Sequence, residues 1–525
     1  MRCVGLFLIL IFAASCNEFI QVESAFITNN EAESFIKNKK ITSITPVELS
    51  ESQDSVYRLL SITPQEHQSY FEFFLRKKTS FYVFQDSNLI YQGLANAFYP
   101  KLHLPAKAFS FYSEHSKILH QVKLLSDDTL KILFKQKRKH SLNEVFKIAD
   151  LDRLKREKPK ESSLPWIEVS AHSSINDQVY TDALVFGDDS ILADTKVKIR
   201  GASSKSFPKK QLALKSKKSV RVNSINLKKA VLYSPYIDRS LIRNKLTYDL
   251  FGALTNNSIE SAFNQVLVNG NYEGIYLLLP HPKSQFRERT FVGNKDAFLV
   301  QIDRGPSDII HRSTHSDYIA PAYVFEVPSK PSLDQKAAID SHLLAFEKAV
   351  LANDLSVINI QSFIDLILLN ELSKNIDAYR LSTYLAFDGV KMYVPTVWDF
   401  NIAWGLAKHA QGFATDGFVI DGENKTAAPL WWQSIWSNEV FQTKLRARYK
   451  YYRKEVLSNE QIDNRIQNIS DLLQNDANLN FEKWDAFNKN IWPNKHKSGS
   501  REEEVFRMKE WVLNRLIWLD SQWLD

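Results

Sequence analysis

Cysteine is almost missing: Cys3 and Cys16 are the two present in 525 residues. Both lie in the first stretch of the chain, so the remainder has no disulfide to form. A chain of this length buries enough apolar surface to fold without one. Strong charge is missing too. A net charge of +7 is small for this size and gives no sign of the concentrated basic patches of nucleic-acid binders, so no nucleic-acid partner is expected. Long apolar runs are lacking after the N-terminus, as are internal repeats, low-complexity tracts and the spacing of a Walker phosphate loop. What is present is ordinary globular composition, 44% hydrophobic and 24% charged, which argues against disorder over most of the length.

Arg2 is followed by an apolar run from Val4 to Ala14, too short to span a bilayer and fitting a secretory signal. The run ends in small residues before Cys16, as in a bacterial lipobox, although Ala13 stands where leucine is usual. The alternatives are lipidation of Cys16, cleavage near Ala14, or a buried N-terminal helix. Contact with a membrane is expected only through such an anchor. An exported protein of the bacterial cell envelope follows, lipid-anchored or periplasmic.

Residues 24–150 read as short mixed strands and helices, with Ser80 to Phe84 and Lys131 to Lys135 as strands, and form an accessory domain without a legible chemical signature. Residues 151–164 are a charged, turn-forming linker. From 165 to 525 the reading is of strands first (166–169, 180–185, 195–199, 211–215, and a hairpin turning at Asn269-Gly270), then helices around 363–372 and 505–519. That order predicts an α+β class, in two lobes, with a ligand between them.

Three constellations carry chemistry. Arg200-Gly201-Ala202-Ser203-Ser204 ends a strand in a glycine–serine turn, and Lys209, Lys210 and Lys215 follow. Such a turn exposes N–H groups and hydroxyls that cradle phosphate oxygens, or it is a solvated surface hairpin. Asp377 follows a helix, where a carboxylate either orients a substrate hydroxyl or caps a turn. Asp399 ends an apolar run that reads as a strand, and a buried carboxylate needs a partner. That partner is magnesium, or else an arginine or backbone N–H groups. Asn401 and Ser382 could add neutral oxygen ligands. The spacing of Asp377 and Asp399 is that of the two working aspartates of protein kinases. His311 and His315 read as a solvated loop.

Five segments in order resemble the CotH kinase family, named for a bacterial spore-coat protein: Arg200 to Lys210, Ser240 to Leu246, Val268 to Tyr276, Asn370 to Tyr384 and Val397 to Asn401. The resemblance covers the chain from about Leu164 onward, and the exported members are the most similar. It implies an atypical protein-kinase-like fold of two lobes, a β-rich N-lobe and a helical C-lobe. It also implies ATP and Mg2+ or Mn2+ as cofactors, and γ-phosphoryl transfer to serine or threonine of an envelope or extracellular protein. Asp377 would be the catalytic aspartate and Asp399 the metal-binding one, joined by Ser382 and Asn401. Arg200, Gly201, Ser203, Lys210 and Lys215 would surround the phosphates. Arg243 and Asn244 are helix-packing residues or phosphate contacts. Ser382 stands for the family's asparagine, Asn401 for a second aspartate, and Leu278 to His281 lacks the expected glutamate. These departures leave a second reading: a kinase-like scaffold without strong catalysis, acting as an envelope-binding lipoprotein.

Overall fold

Two separate units divide the chain at Lys158 and Pro159. The computed structural model describes residues 162–525 apart from 172–173, 188–189, 224, 290–295, 304–310, 313–321, 423–427 and 525, and the backbone of strands alone before residue 162. Cys16 and the linker up to residue 161 lie outside the described residues. In the first unit the described strands form antiparallel sheets. One pairs Leu130–Leu133, Leu119–Leu124, Phe109–Ser113, Thr79–Gln85 and Asn88–Ala95 in that order, so both expected strands there are present.

Elements are numbered within the second unit. It opens with a closed seven-stranded barrel. Its strands are β1 Trp166–Ala171, β2 Thr181–Gly187, β3 Ser190–Arg200, β4 Gln211–Ser216, β7 Ala230–Tyr233, β8 Ala262–Val268 and β9 Asn271–Pro280. A short hairpin, β5 Arg221–Val222 and β6 Ile225–Asn226, is inserted before β7. Neighbours are antiparallel except β1 and β8, which run parallel and close the barrel. Alternation fills the interior with Val169, Val185, Val197, Leu214, Leu232, Val266 and Leu278. The outward residues Val231, Tyr233, Ile275, Leu277 and Leu279 join the main core instead. The β8–β9 turn has Asn269 at φ 50° and Gly270 at φ 79°, the left-handed pair that a two-residue hairpin requires.

The rest does not simply turn helical. A second sheet, in the order β11-β12-β10-β13-β14, is interleaved with the helices: β10 Phe298–Asp303, β11 His311–Arg312, β12 Ala322–Val327, β13 Thr383–Phe387 and β14 Met392–Tyr393. These runs are short, which hid them in the sequence. His311 thus begins a strand rather than lying in a loop, and His315 is outside the described residues. The helices are α1 Arg243–Thr255, α2 Pro282–Arg289, α3 Leu333–Leu351, α4 Ile360–Ser373, α5 Trp431–Ser437, α6 Glu439–Lys454, α7 Asn459–Lys483 and α8 Arg501–Trp523. From Phe363 to Ser373 every residue of α4 is buried, making it the central strut of the core. Its buried Asp365 is neutralised by Arg448 at 2.5 Å and receives a hydrogen bond from the Tyr452 hydroxyl at 2.9 Å.

Candidate active site

Strand alternation sets out two charged faces, one on the barrel and one on the second sheet. On β3 and β4, Val197, Leu212 and Leu214 point into the barrel, so Lys198, Arg200, Ala213 and Lys215 point outward. Lys229, just before β7, extends that outward face beside Lys215, since Leu214 pairs with Ala230. On the second sheet Val300, Ile302, Phe325 and Leu385 pack into the core, while Gln301, Asp303, Glu326 and Tyr384 share the other face. Groups from both faces act on Tyr384. Burial first, then the charges of Glu326, Asp303 and Asp399, hold its phenol well above the ordinary range, and Arg200 opposes them.

Asp399 lies beyond β14 in an extended segment without strand pairing, a correction to the strand expected there. Pro395 removes a backbone donor. The Phe400 N–H is taken by the Asn244 side-chain oxygen at 2.7 Å, and the Asp399 N–H reaches the Tyr248 hydroxyl at 3.5 Å. Asp399 itself sits at φ 64°, a conformation seldom kept without a functional reason. Its partly buried carboxyl accepts no hydrogen bond from a described residue. Burial pushes it up to about 6, with Asp377 and Asp303 adding to the rise and Arg200 countering it. The Arg200 guanidinium stacks over the Trp398 ring at 5.4 Å, and that ring meets His281 at 5.6 Å. Burial, then Arg200, Lys283 and Lys229, push His281 well below the imidazole range and keep it neutral.

Asp377 occupies the turn after α4. Its N–H reaches the Asn375 side-chain oxygen at 3.3 Å, and its carboxylate pairs with Arg380. Tyr379 and Ser382 in the same turn have φ 70° and 50°. Glu371, fully buried at the end of α4, holds this turn from behind. It accepts from the Tyr379 hydroxyl at 2.8 Å and from the N–H groups of Val419 and Ile420 at 2.7 and 3.0 Å. Arg515 on α8 donates twice to the Glu371 carbonyl, at 2.9 and 2.7 Å.

Of the residues singled out in the sequence, Arg200 and Asp377 thus both act on the Asp399 carboxyl, and Lys215 lies on the Arg200 face. Gly201, at φ 115°, adopts a conformation that residues with a Cβ rarely take, and a Cβ there would also force the Ser204 hydroxyl to move. Ser203 is exposed and begins a single 3-10 turn, its carbonyl accepting from the Ser206 hydroxyl at 2.7 Å. Lys210 donates to the Lys205 carbonyl at 2.7 Å and so braces that turn. Lys209 is buried and bonded to the Ile275 carbonyl at 2.6 Å and the Asn480 side chain at 2.7 Å. Asn401 is partly buried two residues beyond Asp399. Asp303, Lys229, Lys283 and Glu326 were not singled out. Asp303 carried the same signal as Asp399, a lone aspartate ending an apolar run.

Arg243 and Asn244 do not face the cleft as phosphate contacts. Arg243 is buried, pairs with Asp238 at 2.5 Å and Glu504 at 2.8 Å, and donates to the Ala403 carbonyl at 3.2 Å. It fastens the segment after Asp399 to α1 and α8. Arg243→Leu leaves two buried carboxylates unmatched, so urea unfolding should show a loss of about 3–5 kcal/mol.

Residues 197–519 match the family described as CotH kinase protein. The chain belongs to the CotH kinase family. The match begins in β3, ends in α8, and contains every candidate residue above. Inner spore coat protein H of Bacillus subtilis (strain 168) is similar, 22% identical over 354 residues, covering 58% of this chain and 92% of that protein. Membership implies a kinase-like fold and a kinase-like function for the second unit. The Arg200 end of β3, the turn after α4 and the second sheet all lie within the matched residues.

Proposed function

We propose that this chain transfers the γ-phosphoryl group of ATP to a serine or threonine hydroxyl of a protein outside the cytoplasm. One observation carries the reading: the half-buried Asp399 carboxyl feels the charges of Asp377 and Arg200, which come from separate segments, and Arg200 shares its outward barrel face with Lys215. Among the described residues no three acidic, histidine or cysteine side chains converge into a complete metal cage. Magnesium does not need one, because it commonly keeps waters and takes one or two carboxylates together with phosphate oxygens. Asp399, accepting no hydrogen bond from the described residues, fits that open type. Asn401 and Ser382 would add neutral oxygens. Bound there, the metal supplies charge neutralisation for the phosphates. Arg200 would offset charge on the transferring group, and Asp377, oriented by Arg380, would accept or direct the hydroxyl proton.

The coat-protein name of the Bacillus relative supports an acceptor at a cell or spore surface. Attachment through Cys16 is part of the same proposal. No helix among the described residues is long and apolar enough to cross a membrane.

A second reading, a scaffold without catalysis, is favoured by Lys210, which is bonded to its own turn, and by Asn401 in place of an acid. Melting with and without ATP and magnesium separates the two. A nucleotide at a hundred times its Kd should stabilise by about 2.7 kcal/mol, whereas the scaffold gives no shift at millimolar ATP. Labelled γ-phosphate appearing in envelope proteins incubated with the purified chain is the direct test.

A further inference from the structure

The cleft contains more positive charge than the proposed assignment of phosphate contacts uses. Lys229 lies on the outward barrel face next to Lys215. Its carbonyl accepts the His281 N–H at 2.9 Å and the Ser284 hydroxyl at 3.0 Å, which ties the start of α2 to this spot. Helix α2 thereby brings Lys283 and Arg287 alongside. Lys283 is nearly buried and pairs with Glu326 at 2.8 Å, while Lys215, Lys229 and Arg287 form no ion pair with a described residue. Burial, then the charges of Lys283, Arg287 and Lys215, lower the Lys229 ammonium to about 8, with Glu326 opposing. Lys229 and Lys283 are partly buried and Lys215 and Arg287 exposed beside them, so the like charges repel one another and an anion bound among them would relieve that repulsion. The group adjoins the Asp399 segment through His281, whose backbone N–H donates to the Lys229 carbonyl at 2.9 Å and whose ring meets Trp398 at 5.6 Å.

We infer that Lys215, Lys229, Lys283 and Arg287 form the subsite for the polyphosphate chain of the nucleotide, with Glu326 as the positioning residue that orients Lys283. This rests on the nucleotide reading above and moves the main phosphate contacts from the glycine–serine turn to the β7–α2 corner. Lys210 then keeps its structural task.

The test uses magnesium tripolyphosphate as probe, with Mg-ATP and adenosine in parallel, and titration calorimetry on the full chain. Lys229→Gln and Lys283→Gln should each weaken tripolyphosphate by about ten-fold or more, as loss of a charge-assisted contact implies. Adenosine affinity should hold. Lys509→Gln, removing a cation that pairs with Asp463 on the helical face, should change nothing. Because Lys283 is nearly buried, Arg287→Gln on the exposed side of α2 gives a variant whose folding is not at risk, and it should weaken the probe in the same direction. Equal tripolyphosphate binding by the wild type and the lysine variants overturns the subsite, as does absence of tripolyphosphate binding by the wild type. A chain that binds tripolyphosphate through these lysines but gains nothing from the adenosine moiety keeps the subsite and refutes ATP as donor.

Discussion

Asp377→Asn is expected to bind ATP and magnesium about as tightly as the wild type while losing about 10²–10⁴ of its transfer rate. Asparagine keeps the size of the side chain and can still accept a hydrogen bond from Arg380, so the turn held by Glu371 and Arg515 should keep its shape. What disappears is the negative charge that receives or steers the hydroxyl proton. Nucleotide affinity should not suffer, because the Asp377 charge pushes the Asp399 carboxyl toward its protonated form. The same charge also attracts the cation, so the two effects of removing it oppose each other and affinity should stay near the wild type's. Calorimetry paired with labelled phosphate transfer checks both halves. An unchanged transfer rate would show that Asp377 only closes a turn.

The sequence made the local half of this site readable and the distant half not. Alternation in β3 and β4 and the Asn269-Gly270 turn are encoded within a few residues, and so is the helix before Asp377. Closure of the barrel is not, since β1 lies beside β8 in parallel, and no neighbouring pair of residues signals that contact. The buried clasps span similar gaps: Asn244 meets Phe400 from 156 positions away, and Arg515 reaches Glu371 from 144. Such polar groups look like surface residues in a linear reading. Their burial becomes visible only once partners arrive, because an unpaired charge could not stay there. The second sheet was missed for a related reason. Its strands are short and separated by helices, yet their alternation carries Asp303 and Glu326 to the face of Tyr384.

Asp399→Asn should abolish metal-dependent nucleotide binding, weakening Mg-ATP by at least about ten-fold, since an amide cannot replace the charge that magnesium requires. It should also stabilise the empty protein, a gain in the opposite direction. The wild-type carboxyl is raised from 3.8 to about 6, so the folded state holds its proton more tightly than the unfolded chain does. Stability from this group is then full below 3.8, falls as pH rises toward about 6, and stays lost above it. Asparagine carries no such titration. The variant without ligand should therefore melt higher than the wild type at pH 7–8 and show no comparable advantage at pH 4. Magnesium with ATP should narrow the gap by stabilising only the wild type. In the wild type, binding should weaken as pH drops through about 6, where protons compete with the metal. A variant that still binds Mg-ATP, or that melts lower at pH 8, would mean that Asp399 is an ordinary paired carboxylate and that the metal, if any, sits elsewhere. A site that costs the empty fold stability and recovers it on binding is what a resident cation leaves behind, and that asymmetry between pH 4 and pH 8 separates the metal-binding role from a packing role.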